Sequence, residues 1–306
     1  MRVHGFLSQY KVIFTGLSNA GKTSMLLVLD KQFHKLADLV PTKGVERSLS
    51  TIIGFPVVKW DLGGQVQYRE QYLTTRTETI LAADVVLVVV DVQDWDNYEE
   101  ALKYYENVLK IIKANEENPF ILICLHKADP EIYDKHRDHI KDLITRFEAA
   151  SKGWNFSIYV TSIYNRRSVI EAFSFGISQF LPKKKSMDLV LKNFVADAKE
   201  SGEKVVGVML WDQNAVFLSM IFDGKKTESA SLTASMGILS VMENFEQTGT
   251  FESLTLEVNK EFQFLARKVG QLYTTIVGKN LDFDKVWNLY DLNYLTNLEE
   301  IIEKEE

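Results

Sequence analysis

The sequence contains a single cysteine, Cys124, so no internal disulfide can form. That cysteine stands inside the apolar run "FILICL", which points to a reducing compartment and a buried core thiol rather than a nucleophile. Positive charge is also in short supply. A net charge of -7 argues against a general nucleic-acid binder, because neutralising a phosphate backbone needs a basic surface. Long apolar stretches are missing as well. The run "VVLVVV" at 85–90 is far short of the roughly 20 residues that a membrane helix requires, so no direct membrane insertion is expected. Arg2 stands where N-myristoylation needs glycine, and the ending "IIEKEE" offers no prenylation box. Any membrane attachment is therefore expected through a partner. His34, His136 and His139 have no second cluster at metal-ligand spacing.

What is present is a globular composition, 46% hydrophobic and 25% charged over 306 residues, long enough for two ordinary domains. Up to about residue 182, short β-branched runs alternate with longer amphipathic stretches, the pattern of a parallel sheet covered by helices. Strands are predicted at 11–16, 48–53, 56–61, 85–91, 120–125 and 156–162, with helices near 22–31, 65–81, 96–114, 132–151 and 166–181. The runs at 85–91 and 120–125 lack polar alternation, as expected of central strands buried on both faces. The expected fold class is α/β, with a six-stranded, mostly parallel, doubly wound sheet.

At "LPKKKS" the pattern stops. Pro182 ends a helix and Lys183 to Lys185 read as a solvated linker. Beyond it come a helix (187–200), two strands (204–211 and 215–224), a helix (229–246), strands near 251–257, 261–267 and 271–277, and a last helix from about 283. This order predicts a small antiparallel α+β sandwich. The domain division is accordingly 1–183 and 184–306. The acidic tail "NLEEIIEKEE" reads as the solvated end of the last helix.

Chemistry concentrates in the first domain. "GLSNAGKTS" places Gly16, Gly21, Lys22 and Thr23 at every fixed position of a phosphate-binding loop, between a predicted strand and a predicted helix. Glycines let the backbone amides of Gly16, Ser18, Asn19, Ala20, Gly21 and Ser24 curl around phosphates. Lys22 would reach the β and γ oxygens, and Thr23 would ligate magnesium. In "WDLGGQ", Asp61 ends a strand where it can hold the magnesium through water. Gly64 could give its amide to a γ-phosphate, and Gln65 could orient the attacking water. Thr42, in the turn-rich "VPTKGVERS", could complete the metal shell. Lys22, Thr42 and Gln65 are thus the candidate catalytic residues, and Thr23, Thr42 and Asp61 the candidate metal ligands.

Base selection is assigned to "LHKADP". The two acceptor oxygens of Asp129 match the adjacent donors of guanine, which adenine lacks, and the stem of Lys127 can pack along the base. His126 precedes them, and the amides of Ser162 and Ile163 in "VTSIY" could meet the guanine oxygen. Arg69 and Arg76 are placed on the solvated face of the helix after Gln65. Trp60 and Trp95 are taken as packing or rim residues.

With these residues in place, the chain resembles the Ras-like small GTPases. "GLSNAGKTS" and "WDLGGQ" are similar to the Arf group. "HKAD", "GKTSM", "VTSIYNRRSVIEAFSFGISQFLP" and the appended second domain resemble the Rag (Gtr) GTPases of nutrient signalling, whose second domain is of the roadblock type. The resemblance implies a Ras-like G domain and a roadblock-like dimerisation domain. It also implies GTP, GDP and Mg2+ as ligands, and a switch in which Thr42 and Gly64 follow the γ-phosphate. Homo- or heterodimerisation, GTPase-activating and roadblock-type scaffold partners, and a cytoplasmic location with recruitment to a membrane surface are implied too. His126, in place of the usual asparagine, is expected to weaken the bracing of the phosphate loop. Without a convincing arginine finger in the domain, hydrolysis should be slow. Two other readings stay open: a nucleotide-bound scaffold subunit with little or no hydrolysis, and an Arf-like trafficking GTPase.

Overall fold

The computed structural model describes residues 9–52, 55–181, 183–213, 215–246, 253–258, 261–269 and 272–303. It divides into two compact units, Met1–Phe180 and Leu181–Glu306. The expectations that fall on Ile53, Pro182, Phe251, Glu252, Gln271 and the ends "MRVHGFLS" and "KEE" lie outside the described residues.

The first unit is built on six strands: β1 (Tyr10–Thr15), β2 (Val45–Ile52), β3 (Phe55–Leu62), β4 (Val85–Asp91), β5 (Phe120–His126) and β6 (Phe156–Val160). Their order across the sheet is β2-β3-β1-β4-β5-β6. All neighbours are parallel except β2, which runs antiparallel to β3 in unbroken register from Val45↔Leu62 to Ile52↔Phe55. The α/β expectation holds. Every residue of β5 is buried, as is all of β4 up to Val90, because helices cover both faces of a parallel sheet. Cys124 is fully buried in β5, and the apolar surroundings push its thiol pKa well up, which suits a core residue.

The covering helices are α1 (Lys22–Leu29), α2 (Val66–Leu73), α3 (Tyr98–Ala114), α4 (Pro130–Lys135), α5 (Arg137–Ala150) and α6 (Arg166–Ser178). In α3, Ala101, Tyr104, Tyr105, Val108, Leu109 and Ile112 recur at helical spacing and join the core against β4 and β5. Full burial of each large aliphatic in this stripe stabilises by about 1.5–3 kcal/mol. Two helices depart from expectation. The stretch 65–81 stops at Leu73, where the Thr74 hydroxyl turns back to the Glu70 carbonyl (2.6 Å), and a single 3-10 turn at Thr77–Thr79 follows. The stretch 132–151 is two helices, broken at His136, whose backbone (φ -120°) is not helical. Another 3-10 segment, Phe33–Asp38, follows α1 and was not legible as a periodic pattern.

The second unit carries a five-stranded antiparallel sheet in the order β8-β7-β11-β10-β9. Its strands are β7 (Val205–Asp212), β8 (Phe217–Phe222), β9 (Ser253–Val258), β10 (Phe262–Val269) and β11 (Leu272–Gly278). Helices α7 (Lys184–Glu200) and α8 (Lys225–Glu246) pack on it, and α9 (Phe283–Tyr290) continues through a π-helical turn into α10 (Thr296–Glu303). β11 is buried throughout, as the middle strand should be. One expectation is corrected here: Lys184 and Lys185 are not linker but the first turn of α7, where Lys184 pairs with Asp188 one turn on (2.7 Å).

Candidate functional site

The singled-out residues gather at the carboxyl ends of β1, β3, β5 and β6, where doubly wound sheets place their ligand sites. Thr15 ends β1, and the loop from Gly16 to Gly21 leads into α1. Backbone φ is positive at Gly16 (140°), Asn19 (58°) and Gly21 (97°), which coils the loop on itself. A side chain at Gly16 cannot fit, since its β-carbon would lie 2.2 Å from the Val89 carbonyl oxygen. The Lys22 ammonium folds back over the loop and donates to the carbonyls of Leu17 (2.7 Å) and Gly16 (3.2 Å). Burial lowers its pKa to about 8, and the nearby Arg69 adds to the fall while Asp61 opposes it. Ser18, Asn19, Gly21, Lys22, Thr23, Ser24, Thr42, Gly64 and Gln65 line one cavity of about 270 Å³, joined by Leu39, Val40 and Pro41. Amides at a helix start together with a buried ammonium are the chemistry that suits an anion.

Beside it, three oxygen-bearing side chains from three different segments converge. Thr23 Oγ1 and Thr42 Oγ1 both donate to Asp61 Oδ2, at 2.5 and 2.9 Å, and lie 2.9 Å from each other. The other carboxylate oxygen, Asp61 Oδ1, is buried and has no hydrogen-bond partner among the described residues. A buried carboxylate oxygen without a partner is costly. An all-oxygen set of one carboxylate and two hydroxyls is the donor chemistry of a hard divalent cation, so these residues fit the magnesium that the resemblance implies.

The loop before α2 closes on both. Gly63 N donates to the Gly44 carbonyl (2.8 Å), and the Tyr72 hydroxyl donates to the same oxygen (2.6 Å), which ties the Thr42 segment to the Gly64 segment. Gly64 lies against the phosphate loop so tightly that a β-carbon there would sit 2.3 Å from the Leu17 carbonyl oxygen. Gln65 caps α2 in extended conformation, half-buried, with its side-chain oxygen accepting from Gln67 (3.3 Å). Arg76 is exposed, as expected, but Arg69 is not. It is 9% accessible, its Nε donates to the Gly64 carbonyl (2.8 Å), and its Nη2 pairs with Glu100 of α3. Nothing in the polar segment "VQYREQYL" signals this, because the partner lies 31 residues away on another helix.

The residues assigned to base selection form a second group. Asp129 precedes α4 with an extended backbone, accepts from the Ser162 hydroxyl through Oδ1 and from Gln93 Nε2 through Oδ2 (3.4 Å). Lys127 is held in left-handed conformation (φ 60°), with its ammonium on Asp91 (2.6 Å). Of the two amides assigned to the guanine oxygen, that of Ser162 already donates to Ser168 Oγ (3.0 Å), and Ile163 is half-buried. The surprise is His126. It is buried, its Nδ1 lies 2.9 Å from Thr161 Oγ1, and burial, aided by Lys127, lowers its pKa to about 3, so the ring is neutral. Its imidazole edge faces Gly21 in the loop before α1. Trp60 lies between the Lys11 ammonium (4.0 Å) and the Arg47 guanidinium (3.8 Å), and Trp95 is a rim residue against His136 and His139.

The wider comparison accords with this geometry. Ras-related GTP-binding protein A of Dictyostelium discoideum is 27% identical over 188 residues, covering 60% of this chain and 62% of that protein. Ras-related GTP-binding protein B of Rattus norvegicus is 27% identical over 241 residues, covering 68% and 62%. The chain thus spans about 62% of the length of these curated relatives. Among solved structures, the Arl6 small GTPase of Trypanosoma brucei with a bound nucleotide analogue matches with a TM-score of 0.46 and 19% identity, over 56% of this chain and 97% of that one. The model of the Gtr1/RagA G protein conserved region matches residues 11–246, from β1 to the end of α8, and the chain belongs to that family.

Proposed function

We propose that this protein binds GTP and GDP and works as a guanine-nucleotide switch with slow GTP hydrolysis. The observation that carries the reading is the meeting of Thr23, Thr42 and the partnerless Asp61 oxygen at the edge of the Lys22 cavity. Magnesium, when held there, neutralises charge on the β and γ phosphates. The loop amides and Lys22 bind the phosphate chain, Asp129 selects guanine, and Gln65 orients water for in-line attack. Thr42 and Gly64 sit on loops tied together at Gly44, so a γ-phosphate that engages one engages both. A low intrinsic rate, raised by an arginine from a partner, completes the catalytic reading.

For the second unit we propose a roadblock-like dimerisation domain, based on its antiparallel sheet with flanking helices. Homo- or heterodimerisation, regulation by GTPase-activating and scaffold proteins, and a cytoplasmic location with recruitment to membranes by partners complete the reading. No helix among the described residues is long and apolar enough to cross a membrane.

Turnover of GTP by the native protein and by Gln65→Leu tests the catalytic assignment. Hydrolysis that slows by about a hundredfold in the variant, the scale of a lost transition-state contact, supports it. Equal rates sink the role of Gln65. Mass measurement in solution with GDP and with a non-hydrolysable GTP analogue tests dimerisation, and a monomer in both would overturn that part.

A further inference from the structure

Arg69 is a buried cation on a helix whose Gln67 and Glu70 are exposed, and the contacts around it form a chain between three elements. Its Nε holds the carbonyl of Gly64, the residue whose amide is assigned to the γ-phosphate. Its Nη2 pairs with Glu100 in the first turn of α3. Its guanidinium lies over the ring of Tyr104, 5.3 Å from the centroid. The Tyr104 hydroxyl in turn lies 2.6 Å from Oγ1 of Thr15, the residue just before Gly16. Arg69 therefore touches the segment that would sense the γ-phosphate, the helix beside it, and a tyrosine anchored at the root of the phosphate loop.

The physics makes this chain a discriminating one. The Arg69 side chain is only 10% exposed, so without Glu100 a buried charge would stand unpaired, whereas Glu100, 47% exposed, can return to water at little cost. The planar guanidinium meets a carbonyl, a carboxylate and a ring face at once, which an ammonium cannot do. Holding the Gly64 carbonyl fixes the Gly64–Gln65 peptide at the start of α2, and through the shared Cα it restricts the preceding Gly63–Gly64 peptide, whose N–H is the Gly64 amide. A ligand that engages that amide gains from a fixed peptide; one that ends at the β-phosphate does not.

We propose that Arg69, held by Glu100 and Tyr104, is the positioning residue that makes the site favour a nucleoside triphosphate over a diphosphate, by fixing the Gly64–Gln65 peptide against the phosphate loop. The proposal rests on the guanine-nucleotide reading above and adds to it the coupling of the switch to α3.

The test measures affinities of the full chain for fluorescently labelled GDP and for a labelled non-hydrolysable GTP analogue, in native protein, Glu100→Gln and Arg69→Lys. Thermal melts establish that each variant is folded. Glu100→Gln keeps the shape and removes the counter-charge at a half-exposed position; Arg69→Lys keeps the charge and removes the Nε contact. Both should lower the ratio of analogue to GDP affinity by about tenfold, the effect of one charge-assisted hydrogen bond, with GDP affinity nearly unchanged. A ratio equal to the native one in both variants, or an equal loss for both nucleotides, would overturn the role of Arg69 while leaving the guanine-nucleotide reading intact. Native protein that binds neither nucleotide would overturn both.

Discussion

The ring of His126 lies so close to Gly21 that a β-carbon on the glycine would stand 2.4 Å from His126 Cδ2 and 2.9 Å from Nε2. This contact joins β5 to the loop between β1 and α1. It depends on a neutral ring, because the pocket that favours packing disfavours charge.

The pH dependence follows from that neutrality. The folded pKa of His126 is about 3 and its ordinary value is 6.5, so between these values the unfolded chain binds the extra proton and the native state does not. Its contribution to stability is complete above about pH 6.5 and is lost as pH falls toward 3, on the order of 5 kcal/mol across the window. Thermal unfolding of native protein and His126→Asn should show the gap between them narrowing as pH is lowered from 7 to 5. Parallel curves would mean that the ring is not buried and neutral.

Lys22 gives a second dependence with a different window. Its pKa in the free protein is lowered to about 8 by burial, yet phosphate binding requires the ammonium. Nucleotide affinity should therefore fall by up to about tenfold per pH unit as pH rises beyond 8, through linked proton uptake. Lys22→Met should bind weakly at every pH and lose this slope. Calorimetric titration with GDP at several pH values measures both.

At Gly64 the expectation is steric. The atoms facing an added β-carbon are the backbone of Leu17 and Ser18, at 2.3 to 2.5 Å, and backbone cannot swing aside. Gly64→Ala should keep its overall stability to within about 1–3 kcal/mol, the usual cost of overpacking. Hydrolysis and the preference for triphosphate should be lost, since the Gly64 loop can no longer seat against the phosphate loop. Unchanged turnover would show that this seating is not needed.

These cases also mark what a sequence can disclose. Gly16, Gly21, Lys22 and Thr23 were legible because a phosphate loop is a local object with fixed spacing, and the all-buried strands β4 and β5 because their β-branched runs lack polar alternation. Thr42 gained its place only from order along the chain, yet its hydroxyl stands with Asp61. The burial of Arg69 is not legible because its partner Glu100 is distant in sequence, and the approach of His126 to Gly21 is hidden for the same reason. The break at His136 and the helical start at Lys184 turn on capping geometry, which periodicity does not carry.

The most direct measurement of the central claim is chromatographic identification of the nucleotide that the protein retains after incubation with equal GTP and ATP in the presence of magnesium, followed over time. Guanine nucleotide only is expected, with GTP passing slowly to GDP. Retained ATP, or no retained nucleotide, would contradict it.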